Sequence, residues 1–248
     1  MALLDEINDK RRALDAARPL AVEVVAELAD RFERDLTVAC VTVEHAGLTR
    51  DAVMQVIDRG IILRAYPAEP QRLVLNHLQA LQLMARLAYQ GGGVVTERTA
   101  MAFHSVLYRD LDPNAGQYRE GPLESEGGTL DPAKIRVSMS ALSGWLRRSE
   151  PGVETALEAH HRLMIVRPFQ EGNTAVALLL ANLILNRAGF PPVAVRPDDA
   201  QVYLDTVERA RAVGDKQPFR EVMLRLLSRS LDTCLVAAAR AVGDRADA

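Results

Sequence analysis

The stretch His161–Pro192, HRLMIVRPFQEGNTAVALLLANLILNRAGFPP, decides how this sequence folds. From Asn173 to Arg187 it is apolar nearly all round, which places a helix inside other helices and not on a surface. Asn173 and Thr174 are both good N-cap types, Gly189 suits the left-handed position past the last turn, and Pro191–Pro192 stop any continuation. The apolar run Val176–Leu185, interrupted by Asn182, is about half the length a bilayer span needs and predicts a core helix. In PFQEGN just before it, Gly172 lets the backbone turn tightly and brings successive N–H groups to bear on one point. Free N–H groups and the positive end of a helix dipole make an anion site. Glu171 is an awkward neighbour for a phosphate unless Mg²⁺ bridges the two. Taken alone, Gly-Asn is also an ordinary turn pair.

Outward from this stretch, apolar residues recur at three- and four-residue spacing over Pro19–Leu36, Pro70–Tyr89, Thr96–Leu107, Asp131–Arg148, Val153–Val166, Asp198–Ala212 and Pro218–Ala239. Alternating strand patterns are lacking and only 4% of residues are aromatic, so a sandwich or barrel is not expected. Turn formers accumulate in Asp112–Asp131, which predicts a loop or a short hairpin.

The composition excludes several classes. A net charge of −3 gives no basic field for nucleic acid or an anionic membrane. Cys40 and Cys234 are too few and too far apart for a metal cluster or disulfide framework, and buried, unreactive thiols are expected. The five histidines show no compact ligand spacing, and His160 reads as a satisfied core histidine. The N-terminus has no apolar stretch long enough for a secretory signal, so the expected location is cytoplasmic.

The order of these segments resembles the Fic (Fido) family, whose signature is HPFx[D/E]GNGRxxR at the junction of two central helices. His160 matches a family scaffold histidine seven residues before the motif, and LILNRAGFPP looks like the usual exit from the motif helix. AGQYRE (Ala115–Glu120), with Gly116, Tyr118 and Arg119, looks like the segment leading into the flap hairpin that holds the target peptide. SALSGWL (Ser140–Leu146), YLDTVERARAVGDKQPF (Tyr203–Phe219) and LNHLQALQLM (Leu75–Met84) are similar to flanking family helices. The resemblance covers roughly residues 37–230 and implies transfer of AMP, or another phosphate-containing group, to hydroxyl side chains.

The motif departs from the pattern where that chemistry needs it. Pro168, Phe169, Glu171, Gly172 and Asn173 match, but Arg167 replaces the catalytic histidine, and Thr174, Ala175 and Leu178 replace the second glycine and both arginines. A general base needs a pKa near the working pH, whereas a guanidinium stays protonated to about pH 12 and only donates. Losing a cation that offsets transition-state charge costs on the order of 3 kcal/mol in activation free energy. His161 is the one candidate for a substitute base. The nucleotide or anion pocket implied by the resemblance comprises Phe169, Glu171, Gly172, Asn173, Thr174, Ala175 and Leu178, with Glu171 holding Mg²⁺ if a nucleotide binds.

CVTVEH (Cys40–His45) resembles the inhibitory helix of some Fic proteins, and AGLTRDAVMQVIDRG the helix that follows it. Glu44 matches the inhibitory glutamate, yet its partner arginine is Leu178 here. Cys40 and Glu44, four apart, share one helix face. Glu44 also reads as a plain solvated helix residue.

The sequence therefore predicts an all-α Fic-like helical domain with a small β-hairpin flap: an N-terminal helical region over 1–68 that includes the degenerate inhibitory-type helix, a Fic-like core over 69–230, and a C-terminal helix end and tail over 231–248. The expected function is a binding or regulatory pseudoenzyme without AMP transfer, with a protein partner and a nucleotide or other anion as ligand. The alternative is an enzyme of altered chemistry using a Mg-nucleotide or another phosphate-containing group. A homodimer through helical faces is a further implication of the resemblance; nucleic acid and membranes are not expected partners.

Overall fold

The computed structural model describes residues 2–44, 48–90, 93–123 and 130–246. Ten helices occupy these residues: α1 (Ala2–Ala16), α2 (Val22–Glu44), α3 (Arg50–Arg59), α4 (Ala68–Tyr89), α5 (Glu97–Leu107), α6 (Pro132–Leu146), α7 (Val153–Val166), α8 (Asn173–Arg187), α9 (Pro197–Val213) and α10 (Gln217–Ala246). No strand occurs among them. Residues 112–123 of the expected flap are turns and irregular chain, and 124–129 lie outside the described residues.

The centre is α8, with twelve of its fifteen residues buried. Helix α7 packs along it, α4 and α5 cross it, and α2 closes the remaining side. Two asparagines interrupt its apolar surface. Asn182 Nδ2 donates to Val193 O (3.0 Å) while Val193 N–H donates to Asn182 Oδ1 (2.8 Å), so the chain leaving α8 is pinned back on its flank. A buried segment with no ladder must satisfy its amides in some such way. Gly189, at φ +76°, takes the left-handed position after the last turn, as its placement predicts.

Helix α1 falls in the region expected to be helical, although its charged sequence carries little apolar periodicity. Only Ile7 and Leu14, two turns apart, are fully buried, but Lys10 reaches Ser228 (2.7 Å) and Asp232 (2.8 Å) on α10. Helix α2 also runs past the predicted Leu36 to Glu44 because its last turns face two cores. Leu36 and Cys40 join the main one, whereas Val38 and Val41 join Val53, Val56 and Val74 in a second. That period serves two neighbours at once, so a single-face reading stops early.

Three of the four buried histidines carry the largest shifts and dominate the pH response. Burial holds His77 at about 3, His104 at about 4 and His160 at about 3, against an ordinary 6.5, so each is neutral when folded. Once unfolded, each takes up a proton below about pH 6.5. Their contribution is complete above pH 6.5 and is lost as pH falls towards 4, at up to about 1.4 kcal/mol per histidine per pH unit. We expect urea unfolding midpoints to drop between pH 7 and pH 5, with His104→Phe reducing the proton uptake on unfolding by about one.

Candidate functional site

The site is built where α7 ends and α8 begins. Arg167 closes α7 in the left-handed conformation, φ +45°, with its N–H on Leu163 O at 2.8 Å. A non-glycine residue held there costs roughly 1 kcal/mol, so the surroundings impose this geometry. Phe169 then plunges into the core, fully buried, with its ring stacked on His104 at 4.0 Å between centroids. His104 in turn accepts the Gly116 N–H on Nδ1 (2.8 Å) and stacks on Tyr108 at 4.9 Å.

The expected cap is corrected by the structure. Gly172, at φ +69°, is the N-cap of α8, and Asn173 is the first helical residue. The Asn173 side chain turns back on the loop: Phe169 N–H donates to its Oδ1 (3.0 Å), and its Nδ2 donates to Phe169 O (2.8 Å). A Cβ at Gly172 would stand 2.2 Å from the Tyr108 ring, so the ring forbids any side chain there.

Arg119 ties the flap base to this loop. It is 6% exposed, its N–H donates to Pro168 O (2.9 Å), and its guanidinium donates to Arg167 O (2.8 Å), Gly121 O (2.8 Å) and Leu130 O (2.7 Å). Burial, with Arg167 adding to it, lowers the Arg119 pKa. Arg167 also helps Arg211 hold the Glu208 carboxyl below its ordinary range, which locates its charge near α9.

The candidate residues divide into two groups. Tyr118, Arg119 and Glu171 line an outer cavity of about 500 Å³ together with Glu69, Asp112 and Glu120, so its charged rim is mainly carboxylate. Ala175 and Leu178 face the other way. With Cys40 and Leu36 of α2 they enclose a space of about 10 Å³, room for one water at most. All four are buried in the main core. Thr174, half-buried in the first turn of α8, lines neither space. His161 is buried near Phe219, 6.5 Å between rings, and its pKa is lowered by burial and by Lys216; it lines neither cavity. The Glu44 side chain and all of His45 lie outside the description.

Sequence reading missed His104 and Tyr108, the two rings that shape the loop. Their signal was present as an aromatic pair four apart on one face of α5. His160 meets its expectation as a core residue, with Nε2 2.6 Å from the Tyr203 hydroxyl and its ring stacked on Phe219. Among the described residues no group of His, Cys, Asp or Glu is arranged to hold a metal, and no helix is long and apolar enough to cross a membrane.

An all-helical fold with a tight loop between two buried central helices, a clamped glycine at its turn and a basic flap base defines the class. Residues 94–185 match the model of the Fic/DOC family, and this part of the chain is a Fic domain. It is 26% identical over 245 residues to the protein adenylyltransferase Fic of Nematostella vectensis, covering 94% of this chain and 56% of that one. The chain thus spans little more than half the length of that relative. In fold it is similar to a Fic-domain-containing signalling protein of Bacteroides thetaiotaomicron, with a TM-score of 0.85, 21% identity, and 94% and 98% of the two chains covered. It is likewise similar to Fic-1 of Caenorhabditis elegans, with a TM-score of 0.84, 20% identity, and 97% and 74% covered.

Two substitutions test the clamp. Asn173→Ala strips both partners from the buried Phe169 backbone and is expected to cost about 2–4 kcal/mol in urea unfolding. Gly172→Ala combines a left-handed backbone with a collision against Tyr108 and is expected to cost at least about 2 kcal/mol by the same measurement.

Proposed function

We propose that this chain is a binding or regulatory pseudoenzyme that no longer transfers AMP. One observation supports the reading: Cys40, Ala175 and Leu178 meet across about 10 Å³, where the family resemblance calls for a phosphate-pairing arginine at the position of Ala175 and the motif's last arginine at that of Leu178. A triphosphate cannot enter without prising α2 from α8. Arg167 adds a second reason, since it occupies the general-base position and cannot accept a proton. In this reading residues 69–230 form the Fic-like core, 1–68 a region derived from a regulatory helix, and 231–248 the end of the last helix.

The retained motif residues are engaged in the fold. Phe169 anchors the loop, Gly172 makes room for Tyr108, and Asn173 holds the Phe169 backbone. What is preserved is therefore a shape. The relatives' name, protein adenylyltransferase, makes a protein the natural class of partner, met at the outer cavity and flap base. That cavity's carboxylates would repel a phosphate unless Mg²⁺ lay between. Glu171 is exposed on its rim and is the residue that would hold the ion, which would arrive with the phosphates it bridges.

The second reading, an enzyme that transfers a nucleotide or another phosphate-containing group by altered chemistry, draws its support from that exposed Glu171. Calorimetry separates the two. We expect no heat of binding from Mg-ATP or pyrophosphate at millimolar concentration, and no AMP adduct on any protein by intact mass after incubation with Mg-ATP. An adduct whose formation depends on Glu171 would overturn the proposal.

The packing also predicts that restoring the motif is not simple. Leu178→Arg would bury a cation against Cys40 and Leu36, with an expected loss of about 3–5 kcal/mol in urea unfolding. If Leu178→Arg left stability unchanged, the α2–α8 seam would be looser than described and a nucleotide could enter.

A further inference from the structure

A larger cavity lies at the other end of α8, about 20 Å from the motif loop along a helix of this length. It measures about 780 Å³ and forms where α1, the start of α2, the turn after α8 and α10 meet. Leu20, Val25, Leu28, Phe32, Phe190 and Pro191 supply apolar walls, and neither Asp nor Glu lines it. Val25 is 51% exposed within it, and Val22, one turn earlier, is 78% exposed. Open apolar walls around a concavity of this size are the form that small-ligand sites take.

The charge around this cavity is one-sided. Arg18 lines it, and both Arg11 and Arg18 donate to Gly189 O, at 2.8 and 3.1 Å. The two guanidinium groups share one carboxylate, Asp15, at 2.7 Å each, which leaves this edge net positive. Cys234 forms part of the lining. Burial pushes its thiol up to about 11, while Arg18 and Arg31 pull the other way, so both cations act on the interior.

We infer that this groove binds a single-chain anionic amphiphile, an alkyl carboxylate whose chain lies on the Leu28, Phe32 and Phe190 surface and whose head group meets Arg18. The volume falls within the range of about 300–1,000 Å³ typical of small-ligand sites, which are apolar with a few placed polar groups. A guanidinium and a carboxylate make paired, charge-assisted hydrogen bonds, and Arg18, 41% exposed at the side chain, can give one donor to such a ligand. A protein partner would need on the order of 800 Å² on each side, with charges spread around a rim. A concavity with its charge at one edge suits a chain with one charged end.

The test uses the full chain and calorimetric titration with alkyl carboxylates of eight to fourteen carbons, below their micelle concentrations, beside alkyltrimethylammonium ions of equal length. We expect carboxylate affinity to rise about two- to fourfold per added methylene. Carboxylates should bind at least tenfold more tightly than the matching ammonium ions. Arg18→Gln should abolish that head-group preference and leave the chain-length dependence. Val25→Glu, at an exposed position, should abolish binding at an unchanged melting temperature; should it unfold the chain, methyl NMR of the wild-type protein with dodecanoate must show shifts confined to Val25, Leu28 and the neighbouring walls.

Equal binding of both head groups, affinity independent of chain length, or no binding at all would overturn the proposal. So would a dimer, detected by light scattering, that Val25→Glu converts to monomer, because the groove would then be a contact between copies. None of these outcomes bears on nucleotide binding at the motif loop.

Discussion

A chain that turns sharply between two buried helices must satisfy its backbone amides without water, and Asn173 does this for the loop on which the site stands. Its side-chain amide takes both the N–H and the C=O of Phe169, closing the loop on itself. With the backbone fixed, Phe169 can stack on His104, Gly172 can lie against Tyr108, and Arg119 can reach the carbonyls of Arg167 and Pro168 across the flap base. Asn182 repeats the device one helix end later with Val193. Two amide clamps therefore set the chain's path into and out of α8, and the other helices pack around that path.

This division of labour separates the motif residues that hold the loop in place from those that do not. Residues whose side chains hold backbone or core have no substitute that leaves the loop standing, because each alternative strands a buried amide or collides with a ring. Residues that would touch only a ligand carry no such constraint. Ala175 and Leu178 lie in the core with Cys40, at a seam between α2 and α8.

The same logic separates the two ends of α8. At its N-terminus the polar outer cavity is rimmed by carboxylates, and the Arg119 guanidinium there is taken up by backbone carbonyls. At its C-terminus apolar walls stay open and the cations lie at the edge. The contrast arises from which neighbours close each end: turns of the flap base in one case, and the short, charged α1 in the other.

Much of the fold was legible in the sequence, because helices announce themselves by local periodicity and their ends by glycine, proline and small polar residues. The family resemblance, the core helix α8 and the place of Gly189 all rest on such local signals. The bounds of helix α1 escaped because two buried side chains in fifteen residues make too weak a stripe, and its stability comes from α10. The continuity of α2 from Val22 to Glu44 escaped because the helix serves two cores. The Asn173 side chain could have capped α8 by its type, yet it went to Phe169, and no sequence pattern distinguishes those partners. The sequence alone fixed which chemical groups are present at the motif, and so that Arg167 cannot act as a base. Only the tertiary structure decided that Cys40, Ala175 and Leu178 close on one another while Glu171 stays exposed, because contacts between helices distant in sequence depend on how they pack.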